Sequence, residues 1–183
     1  MKQYLTQYKP FLLFLSKFFL SYIVLTLCYQ LYLNQFTTNQ IDPVTQIVAN
    51  NTKQLLTFFK ADFKVESFSG EPFLRLIYNQ KYVARMIEGC NAISIIILFI
   101  AFVVSFSGKI KATLFFIVLG ALVIYILNVI RIALLSVFIY IYPQKEGLLH
   151  GVLFPLFIYG VVFVLWLIWV NNYSSYAKNT ASQ

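Results

Sequence analysis

The sequence predicts an all-α polytopic integral membrane protein. It has about four transmembrane helices and one extracytoplasmic loop region, which holds an amphipathic helix and a candidate small hairpin. Two observations predict this class. The chain is 60% hydrophobic and 11% charged over 183 residues, with a mean hydropathy of +0.77, and a soluble domain of that size cannot hide so much apolar surface. The apolar residues also fall in long unbroken runs, not in the short alternating segments of a β-barrel. The length fits a single membrane domain over residues 1–183.

The elements follow in chain order. A polar, basic start with Lys2 and Lys9 precedes an apolar run over residues 11–33, interrupted by Lys17, whose long stem can snorkel. The run is too long for a signal peptide and no small-residue cleavage site closes it, so it reads as an uncleaved first span. Residues 34–86 form the extracytoplasmic loop. Asp42-Pro43 can open a helix there, because proline suits a first turn. Val44, Ile47, Val48, Leu55, Leu56, Phe58 and Phe59 then recur at roughly helical spacing, as in an amphipathic surface helix. Residues 63–68 and 73–78 read as two strands joined around Ser69-Gly70-Glu71-Pro72. Tyr82, Val83 and Met86 lead into a second span over residues 87–107.

Ser107-Gly108-Lys109-Ile110-Lys111 is a short basic turn, which makes the second and third spans an antiparallel pair. The third span covers residues 112–142 and carries one charge, Arg131; residues 132–142 fit either the top of a tilted span or a surface helix. The fourth covers residues 148–170, with His150 in its first turn and Trp166 and Trp169 near its end, as at a membrane interface. There are no internal repeats.

Four spans place both termini on one side. The basic N-terminus, Lys109, Lys111 and Lys178 then face the cytoplasm, and the long loop faces outward. The loop's own Lys53, Lys60, Lys64, Arg75, Lys81 and Arg85 dilute this asymmetry. The net charge of +8 fits topology-fixing flanks better than a nucleic-acid surface, because no basic cluster is interleaved with aromatics. Two cysteines and one histidine cannot build a four-ligand zinc site. The scattered acids match no calcium loop. No cofactor or metal is called for.

Depth brings the polar residues together. Cys90 begins the second span. Arg131 lies about 28 Å up the third, with Asn128 one turn earlier on the same face. His150 begins the fourth. Each has a plain reading on its own: cysteine as a small membrane residue, arginine snorkelling to phosphates, histidine at the interface. Gly147 and Gly151 bracket His150 at a spacing that permits close helix packing. Taken together, three consecutive spans each deliver one reactive or charged group to one layer. A thiolate nucleophile, a histidine acid/base and an arginine that stabilises an oxyanion make up covalent acyl transfer. Asn128, Glu88 and Asn91 would support them.

Glu88-Gly89-Cys90-Asn91, then Asn128-x-x-Arg131-Ile132, then His150-x-x-x-Phe154 resemble the Cys…Arg…His set of the exosortase/archaeosortase family, over about residues 63–170. The chain is most similar to the short exosortase F type. The resemblance implies a membrane cysteine peptidase and transpeptidase of the bacterial inner membrane, with its site near the extracytoplasmic face. Cys90 would be the nucleophile, Arg131 the transition-state stabiliser and His150 the acid/base. Its partners would be exported proteins carrying a C-terminal sorting signal (a motif, a transmembrane helix and a basic tail). Membrane lipid and an associated membrane protein are further expected partners; nucleic acid is not. Many relatives follow the cysteine with Ser-Gly, whereas this chain has Asn91-Ala92. Two other readings stay open. One is a thiol–disulfide protein using Cys28 and Cys90, which lie near the same face although no Cys-x-x-Cys occurs. The other is a non-catalytic envelope assembly subunit.

Overall fold

The computed structural model describes residues 8–36, 40–68, 70–106 and 108–173. Helix α1 (Lys9–Leu33) is followed by α2 (Pro43–Phe58). Strands β1 (Phe63–Ser67), β2 (Leu74–Tyr78) and β3 (Lys81–Met86) come next. A 3-10 turn, Glu88–Cys90, leads to α3 (Ile93–Ser105) and then α4 (Ile110–Ile141). A run of tight turns over 143–153 enters α5 (Phe154–Asn172).

Among the described residues, three helical stretches are long and apolar enough to cross a membrane: Phe11–Leu33, Ile110–Ile141 and Pro143–Asn172. Within the predicted second span over 87–107 the regular helix is shorter than expected. Its helix, α3, has 13 residues, about 20 Å, against the roughly 30 Å of a hydrocarbon core. The backbone explains the loss. Ala92 adopts a left-handed φ of 67°, so the helix cannot start before Ile93, and Phe106 turns extended after it. Cys90 therefore precedes the helix and does not sit on its first turn.

Helix α4 runs unbroken for 32 residues, about 48 Å. Residues 132–141 thus continue the same helix. Its two halves pack differently. Val129, Ile132, Ala133, Leu135 and Ile139 are buried against α2 and the sheet, in a cluster with Val48, Ala49, Leu56, Leu74, Leu76 and Met86. The earlier half, through Phe116 and Ile124, meets Phe99 and Val103 of α3 and Val162 and Trp169 of α5. Trp169 is fully buried there and Trp166 stacks on Phe102 with ring centroids 4.2 Å apart. Both were expected at an interface. Instead they hold the apolar bundle together.

Asp42 caps α2, accepting from the Thr45 amide at 3.0 Å, and Pro43 fills the first turn as expected. The buried stripe differs from the predicted one. It comprises Thr45, Val48, Ala49, Thr52 and Leu56, while Ile47, Phe58 and Phe59 are exposed. Small and β-branched polar side chains let α2 lie close to its neighbours, and they can be buried because their hydroxyls are bonded. Thr52, for example, donates to the Val48 carbonyl at 2.9 Å.

The expected hairpin is a three-stranded antiparallel sheet among the described residues, in the order β1-β2-β3. The third strand occupies residues expected to lead into the second span. Asn79 and Gln80 both have positive φ, 46° and 63°, which is the geometry of a two-residue hairpin turn. Leu76 pairs with Ala84 and Ile77 with Tyr82, leaving Val83 as the extra residue of a bulge. The bulge turns Val83 inward and re-aims the strand toward the Cys90 turn.

The predicted fourth span over 148–170 falls within the candidate span Pro143–Asn172. Residues Leu149–Leu153 form a π-turn, and regular α-helix begins at Phe154. A Cβ at Gly147 or Gly151 would meet nothing within 4 Å, so that pair is not a close-packing seam. Gly120 is. A methyl there would overlap the ring of Phe99, which is itself wholly buried. Gly120→Ala is therefore expected to lower stability by about 1–3 kcal/mol, read as the thermal midpoint in detergent. Phe99→Leu in the same chain is expected to recover part of that loss.

Candidate active site

The sheet and α3 are joined by the turn Glu88–Cys90, whose Cys90 amide donates to the Ile87 carbonyl at 2.9 Å. Cys90 is half-buried and packs on the core under α2 and the sheet. Its carbonyl accepts from Asn128 Nδ2 at 2.8 Å. Asn128 is completely buried on α4, and its Oδ1 accepts from Arg131 Nη1 at 3.3 Å. One amide therefore clips the nucleophile candidate to the arginine one turn further on, on the shared face that the spacing predicted. Burial of Asn128 is tolerable because both ends of its amide are bonded.

Cys90 and His150 line the same cleft, of about 600 Å³, with Lys81, Tyr82, Arg85 and Glu146. His150 is exposed and sits in the π-turn. Arg131 is not among the cleft-lining residues. It is half-buried, and its Nε is buried without a partner among the described residues. No hydrogen bond among the described residues joins His150 to Cys90. The arrangement thus brings Cys90 and His150 to one cavity and ties Arg131 to Cys90 through Asn128.

The supporting candidates divide. Glu88 lines a separate, smaller pocket of about 180 Å³ with Tyr22, Thr26, Gln30 and Ser94. Asn91 is 2% exposed. Its Nδ2 donates to Tyr29 Oη at 2.8 Å and to Thr45 Oγ1 at 3.2 Å, and its Oδ1 accepts from the Ile93 amide at 3.0 Å. Asn91 thereby caps the start of α3 from within the turn. Cys28 and Cys90 are both free thiols. Two contributors escaped the sequence reading: Lys81, which lines the cleft with Arg85, and the hydroxyl of Thr45. Thr45, three residues after Asp42, is a standard capping offset that points to a bonded hydroxyl.

A family model described as transmembrane exosortase matches residues 11–170. The chain belongs to the transmembrane exosortase family. It is accordingly a membrane protein, and the match covers α1, the sheet, the Cys90 turn and α3 to α5, most of the described chain. No curated protein and no solved structure matches it. Within this exosortase, Ala92 lies two residues after Cys90. Its φ of 67° is what glycine adopts freely, and an L-residue there is strained by about 1–2 kcal/mol. Ala92→Gly is expected to change stability by no more than about 1 kcal/mol, since released strain offsets the lost buried methyl. Ala92→Val, β-branched in that region, is expected to lose about 2 kcal/mol or more. Unfolding midpoints of the two variants in detergent check this.

Proposed function

We propose that this exosortase is a membrane-embedded cysteine peptidase and transpeptidase, with Cys90 as nucleophile, His150 as acid/base and Arg131 as stabiliser of the oxyanion. The observation that carries the reading is that Cys90 and His150 share one cleft, while Asn128 bonds both the Cys90 carbonyl and Arg131. The Cys90 thiolate adds to a substrate carbonyl carbon. The negative oxygen that forms is met by the guanidinium. Collapse breaks the peptide C–N bond, His150 donates the proton that the departing amine needs, and a thioester remains on Cys90. Attack by an acceptor amine, or by water, then releases the Cys90 thiolate, and the proton lost by the attacking group returns to His150.

The substrate class proposed is an exported protein with a C-terminal sorting motif, a transmembrane helix and a basic tail, cut near the extracytoplasmic face of the bacterial inner membrane. The acceptor lies at the cell surface. Such a substrate would approach through lipid beside the short α3, with a further membrane protein as a candidate companion. Assignment to the short exosortase F type belongs to the same proposal and rests on the order of the Glu88-Gly89-Cys90-Asn91, Asn128-x-x-Arg131 and His150-x-x-x-Phe154 motifs.

The test compares wild type with Cys90→Ala in cells lacking the native copy, following by mass shift a secreted reporter with a C-terminal helix and basic tail. Wild type is expected to shorten the reporter and Cys90→Ala to leave it full length. Arg131→Ala is expected to slow processing on the order of 10²–10³-fold, as for loss of one oxyanion donor, and His150→Ala about 10²–10⁴-fold. Equal processing by wild type and Cys90→Ala would remove the thiol from the mechanism.

A further inference from the structure

Asp42, Thr45 and Asn91 form a buried polar chain that the acyl-transfer chemistry does not use. All three are buried, at 0%, 0% and 2% exposure, and they come from two separate parts of the fold. Thr45 has one hydroxyl hydrogen, and it donates that hydrogen to Asp42 Oδ2 at 2.5 Å. The oxygen can therefore only accept from Asn91 Nδ2, at 3.2 Å. The second Nδ2 hydrogen goes to Tyr29 Oη on α1. This fixes which end of the Asn91 amide is oxygen, and that oxygen holds the Ile93 amide. Every donor and acceptor direction in the chain follows from the Asp42 carboxylate.

The consequence falls on Cys90. Its backbone is held on one side by Asn128, through its own carbonyl, and on the other by Asn91, the next residue. The left-handed Ala92 that follows is not a conformation an alanine adopts unaided; the Asn91 bonds to Ile93, Thr45 and Tyr29 over-determine it. Asp42 has no cation among its described partners, which are the amide and hydroxyl of Thr45. A buried carboxylate without a counter-charge is costly, and a mere helix cap does not require one, since serine or asparagine caps equally well.

We propose that Asp42 and Thr45 are positioning residues for the nucleophile, acting through Asn91 to fix the Cys90 turn, and that α2 serves as a strut for that turn as well as a cover over α4. The inference deepens the acyl-transfer reading above and rests on it. A misplacement of about 1 Å costs on the order of 10²-fold in rate, so small rotations of this turn matter.

The test uses the full chain in native membranes. Thr45→Val is isosteric and removes the hydroxyl; Thr45→Ser keeps it. Thr45→Val is expected to lower the maximal rate of reporter processing about 10-fold or more, with half-saturation by reporter unchanged and normal amounts of protein in the membrane. Thr45→Ser is expected to stay within about 2-fold of wild type, because a hydroxyl alone carries the relay. A second readout is alkylation of Cys90 by iodoacetamide in a Cys28→Ala background, which Thr45→Val is expected to slow about 10-fold and Thr45→Ser to restore. If Thr45→Val reduces the amount of protein, Asp42→Asn replaces it. It keeps a capping oxygen, removes the charge, and is expected to lower both rates. Wild-type rates in Thr45→Val, or equal loss in Thr45→Val and Thr45→Ser, would overturn the positioning role and leave the transpeptidase reading intact. Altered alkylation in a chain that never processes the reporter would uphold positioning and overturn the transpeptidase reading.

Discussion

The amide of Asn128 is the constraint on which the rest of this structure depends. An asparagine in the middle of a long apolar helix has no water to fall back on, so both ends of its side chain must find protein partners. Its donor end takes the Cys90 carbonyl and its acceptor end takes Arg131. That requirement sets where the chain after β3 must pass, since its carbonyl has to arrive at one turn of α4. It also explains why α4 is covered over Val129 to Ile139. Lipid could not accommodate Asn128 and the bonded part of Arg131, whereas α2 and the sheet can, by supplying a dry protein surface with room for a few paired polar groups.

Read in this way, the protein has two cores with different work. Around Phe99, Phe116 and Trp169 it is an aromatic bundle, held by ring contacts such as Phe116 on Trp169 at 5.0 Å and by the absence of a side chain at Gly120. Around Val48, Leu76 and Ile132 it is a small α/β layer whose purpose is placement. The Cys90 turn belongs to neither core alone. It is strung between β3 and α3 and held by an amide on each side, so the nucleophile candidate is fixed by directional bonds more than by packing.

Much of this was legible in the sequence, and the parts that were not share physical causes. The spacing of Asn128 and Arg131 is a helix-face argument, and it held because α4 is regular. The order of Cys90, Arg131 and His150 along successive apolar runs is a depth argument, and the structure keeps Cys90 and His150 in one cleft. The length of α3 was hidden because alanine is the best helix former and gives no hint that Ala92 is left-handed; only its neighbours make it so. The third strand was hidden behind Asn79-Gln80, where glutamine is an unusual occupant of a positive-φ site. The inner face of α2 was misread because Thr45 and Thr52 count as polar in any hydrophobic pattern, although bonded hydroxyls make them good core residues. Trp169 misled for a simpler reason. A ring at the end of an apolar run looks interfacial until the neighbouring helices are known.

The shortness of α3 has a consequence for the lipid. A helix of 13 residues beside neighbours of 25 and 32 leaves a step in the apolar perimeter of the protein. A bilayer bordering that step meets apolar surfaces of unequal height, which acyl chains accommodate by shortening or tilting at a modest energetic cost.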